Sequence, residues 1–262
     1  MNTVSTPVKR LDILGVHVSD YSPAEAMAFV EACIEHQRYQ PIAFLNANNA
    51  NIAHENPKFR DAMEHFVSFS DGIGVDIAAK MLYGAAFRAN LNGTDLVPDL
   101  LRSAKKPLKV GLFGSKPGVA DRAAELFAGI NPIHDVRAIS HGYVGTDDAE
   151  RILANLEEFR PDILLIGLGV PRQEFWIVEH LNGTHCTVPM AVGALFDLTT
   201  GHVPRAPAWV RSLRSEWVYR LAVEPRRLWR RYVLGNPIFL YRVMRQKFSS
   251  GDTDVANQGS IS

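Results

Sequence analysis

Asp71 stands in the run Ser68-Phe69-Ser70-Asp71-Gly72-Ile73-Gly74-Val75-Asp76. A carboxylate between a short strand and two glycines sits on tight backbone that a ligand can approach closely. It is the candidate general base, although Asp-Gly is also an ordinary turn pair. Side chains able to hold a polar substrate gather at four other places. Asn46-Ala47-Asn48-Asn49-Ala50-Asn51 follows the apolar run Pro41 to Leu45. Its carboxamides read either as a polar turn or as a loop that hydrogen-bonds a sugar-like ligand through Asn46 and Asn48. Arg88, Asn92 and Asp95 lie in FRANLNGTDL with Asn90 and Thr94, and Thr94 or Asp95 can equally cap the helix that follows. Gly114 begins the GSKPG loop, a strand, glycine loop, helix unit of anion-binding geometry. Gln173 belongs to PDILLIGLGVPRQEFW, residues 161–176, a buried strand, glycine turn and helix start. That context puts Gln173 at the mouth of a phosphate-sized site, unless the turn is an ordinary one.

The elements that must position these residues alternate. Apolar strands are expected at 11–18, 41–45, 108–113, 135–140, 163–166 and 188–194, with helices between them. Ser22-Pro23-Ala24-Glu25 carries a capping box with proline at the first helical position. This pattern predicts an α/β fold, a Rossmann-like parallel sheet core flanked by helices. The core is expected over 1–202, a basic helical appendage over 203–248 and a disordered tail over 249–262. In the appendage Val210, Leu213, Trp217 and Leu221 recur at helical spacing, Arg226/Arg230 and Arg227/Arg231 are i, i+4 pairs, and Asn236-Pro237 should open a last helix.

At 47% hydrophobic content the 262 residues can bury a full core. The first residues lack an apolar leader and no apolar run is long enough to span a bilayer, so a cytoplasmic location is expected. Cys33 and Cys186 have no metal-ligand spacing and read as core residues. A net charge of zero hides an asymmetry: residues 205–248 hold eleven Arg and Lys against two Glu. With Trp209, Trp217, Tyr219, Trp229 and Tyr232 interleaved, that segment suits phosphates at a membrane surface, or alternatively a solvated basic helix pair. The turns contain neither GxGxxG nor GxxxxGK[ST], which counts against nicotinamide chemistry and ATP hydrolysis.

Together, FLNANNANIAHENPKFRDA, SDGIGVD, NLNGTDL, GLFGSKPG, DILLIGLGVPRQEFW, VGALFD with RAPAW, and EWVYRLAVEPRRLWRRY resemble the WecG/TagA/CpsF family of bacterial glycosyltransferases. The NLNGTDL form is closest to the branch holding WecG and GumM. The resemblance implies inverting transfer from a UDP-sugar to a polyprenyl-diphosphate-linked saccharide, in assembly of a surface polysaccharide. It also implies an appendage that completes the active site at the membrane. The family's general base falls on Asp71, its GxPxQE glutamine on Gln173, and its diphosphate-contacting arginines on Arg220, Arg227 and Arg230. Two departures stand out: Phe44 replaces a frequent threonine, and Asn90 takes the place of an arginine, with Arg88 nearby.

Such a transferase needs no cofactor. The single Asp-x-Asp, Asp252-Thr253-Asp254, does not follow a strand, so no metal site is expected and the arginines should meet the diphosphate charge. The expected partners are the UDP-sugar donor, the lipid-linked acceptor and the inner face of the cytoplasmic membrane, with self-association a further possibility. No nucleic acid is expected, because a basic arm for nucleic acid would leave Asp71 and the asparagines without a role. A nucleotide-dependent oxidoreductase or epimerase is the other alternative.

Overall fold

A computed structural model describes residues 8–143, 145, 148–207, 210 and 216–258. Its centre is an eight-stranded sheet in the order β1-β2-β4-β3-β8-β7-β5-β6. The strands are β1 (Arg10–Ile13), β2 (Val16–Ser19), β3 (Ile42–Leu45), β4 (Val67–Ser70), β5 (Lys109–Gly114), β6 (Asp135–Ser140), β7 (Ile163–Gly167) and β8 (Val188–Ala191). All neighbours pair in parallel except β1 with β2. The expected single strand at 11–18 is therefore a hairpin. Its turn is Leu14-Gly15, with φ of 55° and 86°, the left-handed pair that two-residue hairpin turns require.

The buried strands are apolar on both faces, because helices cover both. One face packs Phe44, Phe69, Leu112 and Leu165 against α1 (Pro23–Glu35), α5 (Gly93–Ser103), α6 (Val119–Ala128) and α9 (Leu195–Thr199). The other packs Leu45, Phe113 and Ile166 against α2 (Ala47–Glu55), α3 (Pro57–Met63), α4 (Ile73–Tyr83), α7 (Asp148–Phe159) and α8 (Arg172–His180). Cys33 and Cys186 are buried in these two layers. The capping box at Ser22 and Glu25 is formed.

The appendage comprises α10 (Glu216–Val223), α11 (Pro225–Trp229), a π-helical turn (Arg230–Leu234) and α12 (Gly235–Gln258). Trp209 and Leu213 lie outside the described residues. Asn236-Pro237 falls in the first turn of α12, as expected for the start of the last helix, with Pro237 its third residue. The π turn just before it carries a bond from Gly235 N–H to Arg230 O, so the helix is rewound where the proline lacks a donor. Helix α12 also runs past residue 248, where a tail was expected, to Gln258. The stretch 249–258 has one glycine and no proline, so little stops propagation of an established helix.

Helix α12 lies across α2 and α4, burying Phe239 and Val243 in the second core layer. Polar clamps fix its register. Asn51 Nδ2 donates to Gly235 O at 2.8 Å, and Arg242 donates to Asn51 Oδ1 at 3.0 Å and Glu55 Oε1 at 2.6 Å. Gln246 Nε2 donates to Asp12 Oδ1 at 2.7 Å, while Leu14 N–H donates to Gln246 Oε1 at 3.0 Å.

Gly114 has a steric duty at the end of β5. Its φ is 138°, and a Cβ there would lie 2.4 Å from the carbonyl oxygen of Gly167 on β7. Gly114→Ala is expected to cost about 2 kcal/mol or more from backbone strain alone, read as a lower urea midpoint. An unchanged midpoint would show that β5 and β7 can part without penalty.

Candidate active site

The parallel register sets Leu45 beside Ser70, so the next residues, Asn46 and Asp71, emerge side by side at the carboxyl edge. Asn46 caps α2, its side-chain oxygen accepting from the N–H groups of Asn48 and Asn49. Its Nδ2 then donates to Asp71 Oδ2 at 3.3 Å. The asparagine cluster is thus a helix start and not an open loop. Asn48 Nδ2 donates to Asn49 Oδ1 at 3.4 Å, and Asn49 Nδ2 donates to Phe44 O at 3.1 Å.

Asp71 is half-buried, and its backbone N–H donates to Leu45 O at 2.8 Å. Burial raises its pKa above the usual aspartate range. The Asn46 hydrogen bond and the positive charges of Arg231 and Arg220 oppose that rise, and the negative charge of Glu216 adds to it. Glu216 and Arg220 lie on α10 and Arg231 in the π turn, so the appendage closes over the aspartate. The Nε atoms of Arg220 and Arg231 are buried without a hydrogen-bond partner among the described residues. Two guanidinium groups near enough to act on one carboxylate by charge, each with a buried Nε donor unspent among the described residues, can take a multiply charged anion beside it.

The remaining candidates divide. Arg227 pairs with Glu224, its Nε at 2.9 Å, while lying near enough to Arg231 to repel it. Arg230 turns outward, 5.5 Å above the Trp229 ring. The arginine that joins Arg220 is therefore Arg231, on the face of the Arg227/Arg231 pair. Asn92, not Thr94 or Asp95, caps α5, accepting from Asp95 N–H at 2.9 Å. Asp95 accepts from Asn92 Nδ2 at 2.9 Å and pairs with Arg205, tying the start of the appendage to α5. Arg88 sits on the surface, bonded to Asp20 O and paired with Glu25.

Gln173 is 2% exposed, not at a mouth. Its Oε1 accepts from Gly193 N–H at 3.1 Å and its Nε2 donates to Glu174 Oε1 at 2.9 Å, bracing the β7–α8 turn against the loop after β8. Gly114 likewise serves strand packing. Ser115, next to it, donates from Oγ to Asp197 Oδ2 at 3.1 Å. Among the described residues no three His, Cys, Asp or Glu side chains converge as metal ligands. A cavity of about 510 Å³ opens at the amino end of the sheet, beside Lys109, Asp135 and Arg160, away from Asp71.

The sequence profile described as the glycosyl transferase WecG/TagA/CpsF family matches residues 11–253. The chain belongs to that family. This glycosyltransferase is 27% identical over 246 residues to proteins of Staphylococcus aureus strains NCTC 8325, COL and N315, covering 91% of this chain and 93% of each relative. Those relatives are named N-acetylglucosaminyldiphosphoundecaprenol N-acetyl-beta-D-mannosaminyltransferase.

Glu174, which sequence reasoning did not single out, is 1% exposed, and burial pushes its pKa from 4.5 up to about 7. Between those limits unfolding releases a proton, so this group's contribution to stability falls as pH rises from 4.5 through 7. Glu174→Gln keeps the acceptor for Gln173. It should match the parent near pH 4.5 and exceed it by roughly 2–4 kcal/mol at pH 8 in urea unfolding. A difference that does not change with pH would mean that the carboxyl is ionised in the fold.

Proposed function

We propose that this chain moves a sugar from a UDP-sugar, with inversion, to a hydroxyl of a polyprenyl-diphosphate-linked saccharide. The observation that carries the reading is Asp71 at the strand edge, within electrostatic reach of Arg220 and Arg231, whose Nε donors are buried without a partner among the described residues. The acceptor oxygen attacks the anomeric carbon while its proton passes to Asp71. The bond from that carbon to the donor phosphate breaks, and UDP leaves with the electron pair. Burial makes Asp71 a stronger base than a solvated aspartate, and general-base catalysis is worth about 10²- to 10⁴-fold. Arg220 and Arg231 offset the charge that grows on the diphosphate, a role that elsewhere falls to a metal ion. The relatives' names point to N-acetylated hexosamines as the first donors to try and to a diphosphoundecaprenol-linked acceptor.

No helix among the described residues is long and apolar enough to cross a membrane. The proposed location is the inner face of the cytoplasmic membrane. Val233, Leu234, Ile238, Tyr241, Met244 and Phe248 are exposed along the outer side of the appendage, with Arg226, Arg230, Arg245 and Lys247 beside them. Apolar side chains flanked by cations suit an anionic lipid surface.

Label transfer from a panel of UDP-sugars, UDP-N-acetylmannosamine among them, to a short-chain polyprenyl-diphosphate monosaccharide tests the chemistry. One donor should give product in EDTA, with Asp71→Asn reducing turnover by about 10²-fold or more while still binding UDP. Arg231→Ala should chiefly weaken UDP binding. Normal turnover by Asp71→Asn would refute the base assignment. In flotation assays with phosphatidylglycerol vesicles, Ile238→Glu/Phe248→Glu should leave the protein in the dense fraction. Co-flotation equal to the parent would remove this strip as the lipid contact.

A further inference from the structure

Resting on the reading of Asp71 as base, we infer that Asn90 is a positioning residue: its carboxamide fixes the peptide that aims the catalytic carboxylate. The Asp71 carboxylate has one hydrogen bond to a side chain among the described residues, from Asn46, and that one is long at 3.3 Å. Its aim therefore depends on the main chain. On one side that chain is tied by the Asp71 N–H bond to Leu45 O. On the other side stands Gly72, at φ 91° and ψ 159°, with no side-chain cap of its own for α4. A peptide flanked by glycine in this region turns easily unless something holds it.

Asn90 supplies the restraint. Gly72 N–H donates to Asn90 Oδ1 at 2.6 Å. Asn90 is itself presented rigidly, because the segment around it runs beside the end of β4. Ser70 Oγ donates to Ala89 O at 2.7 Å, and Leu91 N–H donates to Ser70 O at 2.8 Å. Ala89 and Leu91 are buried in the core, and Arg88 N–H donates to Asp20 Oδ1 at 2.8 Å. A neutral acceptor suits the place. Glu216 already opposes ionisation of Asp71, and a second negative charge would oppose it further.

The test uses the full chain, turnover with the most active UDP-sugar of the panel, and UDP binding by calorimetry. Asn90→Leu, which removes the acceptor at similar volume, should lower kcat by about 10- to 100-fold. KM and UDP affinity should stay within about threefold of the parent, the signature of a loss confined to the transition state. Asn90→Asp keeps an acceptor and should restore most turnover at high pH. Its acid limb should move upward, since the new carboxylate joins Glu216 against Asn46, Arg220 and Arg231. Wild-type kcat in Asn90→Leu overturns the inference, as does an equal loss of kcat and UDP affinity. Should Asn90→Leu not fold, an unshifted acid limb in Asn90→Asp overturns it equally. Asp71→Asn separates the two readings. If it turns over normally, the base assignment fails; if it is inactive while Asn90→Leu is fully active, only the positioning role fails.

Discussion

A carboxylate drawn out of water remains charged only if positive charge or hydrogen bonds meet it. At Asp71 the sheet contributes little of that compensation: one long bond from Asn46. The cations come from Arg220 and Arg231, about 150 residues further along the chain. The site therefore depends on the appendage lying where it does. That in turn rests on Phe239 and Val243 in the core and on the Arg242 and Gln246 clamps. Truncation of Phe239 removes about 3–5 kcal/mol of packing in comparable cores, enough to loosen such a docking. Asp71 and the two arginines are thus joined by ordinary core packing.

The carboxyl edge of the sheet is crowded with polar side chains, and most are spent on the protein itself. Asn46 and Asn92 cap helices, Asn51 holds Gly235, and Gln173 braces the loop after β8. Ser115 binds Asp197. Sharp strand-to-helix turns leave backbone N–H groups that must be paired, and Asn46, Asn92 and Gln173 pair them. Among the described residues, the appendage arginines Arg205, Arg220 and Arg231 each keep a buried Nε donor without a partner. An anion entering this edge would displace few existing bonds there.

The sheet was legible because strands covered on both faces must be apolar throughout, as 163–166 and 110–113 are. The capping box at Ser22 was legible for a similar local reason. Asp71 was singled out through the glycines beside it, and the structure places it at the carboxyl edge of β4. The asparagines misled, since a cap and a ligand contact call for the same side chain, and only the register of β3 against β4 shows which partner Asn46 has. Gln173 misled because helix starts expose backbone donors while side chains there can point inward. The Leu14-Gly15 turn was hidden because apolar residues recur on both sides of it, around Asp12 and His17.

Arg230 and Arg231 show where local reading ends. Both neighbour Trp229 and Tyr232 in sequence, and residue type does not separate them. The π turn that spans 230–234 does, because one extra residue per turn rotates the chain relative to an α-helical wheel. Arg230 stands over Trp229 on the outer side, and Arg231 is buried within electrostatic reach of Asp71. That rotation has a consequence for the proposed reaction. The outer side of the same helix carries the exposed apolar strip, so the contact proposed for lipid and the contact proposed for diphosphate lie on opposite sides of one rigid element. An acceptor anchored in the bilayer and a donor delivered from water would then meet at the seam between that element and the sheet, where Asp71 stands.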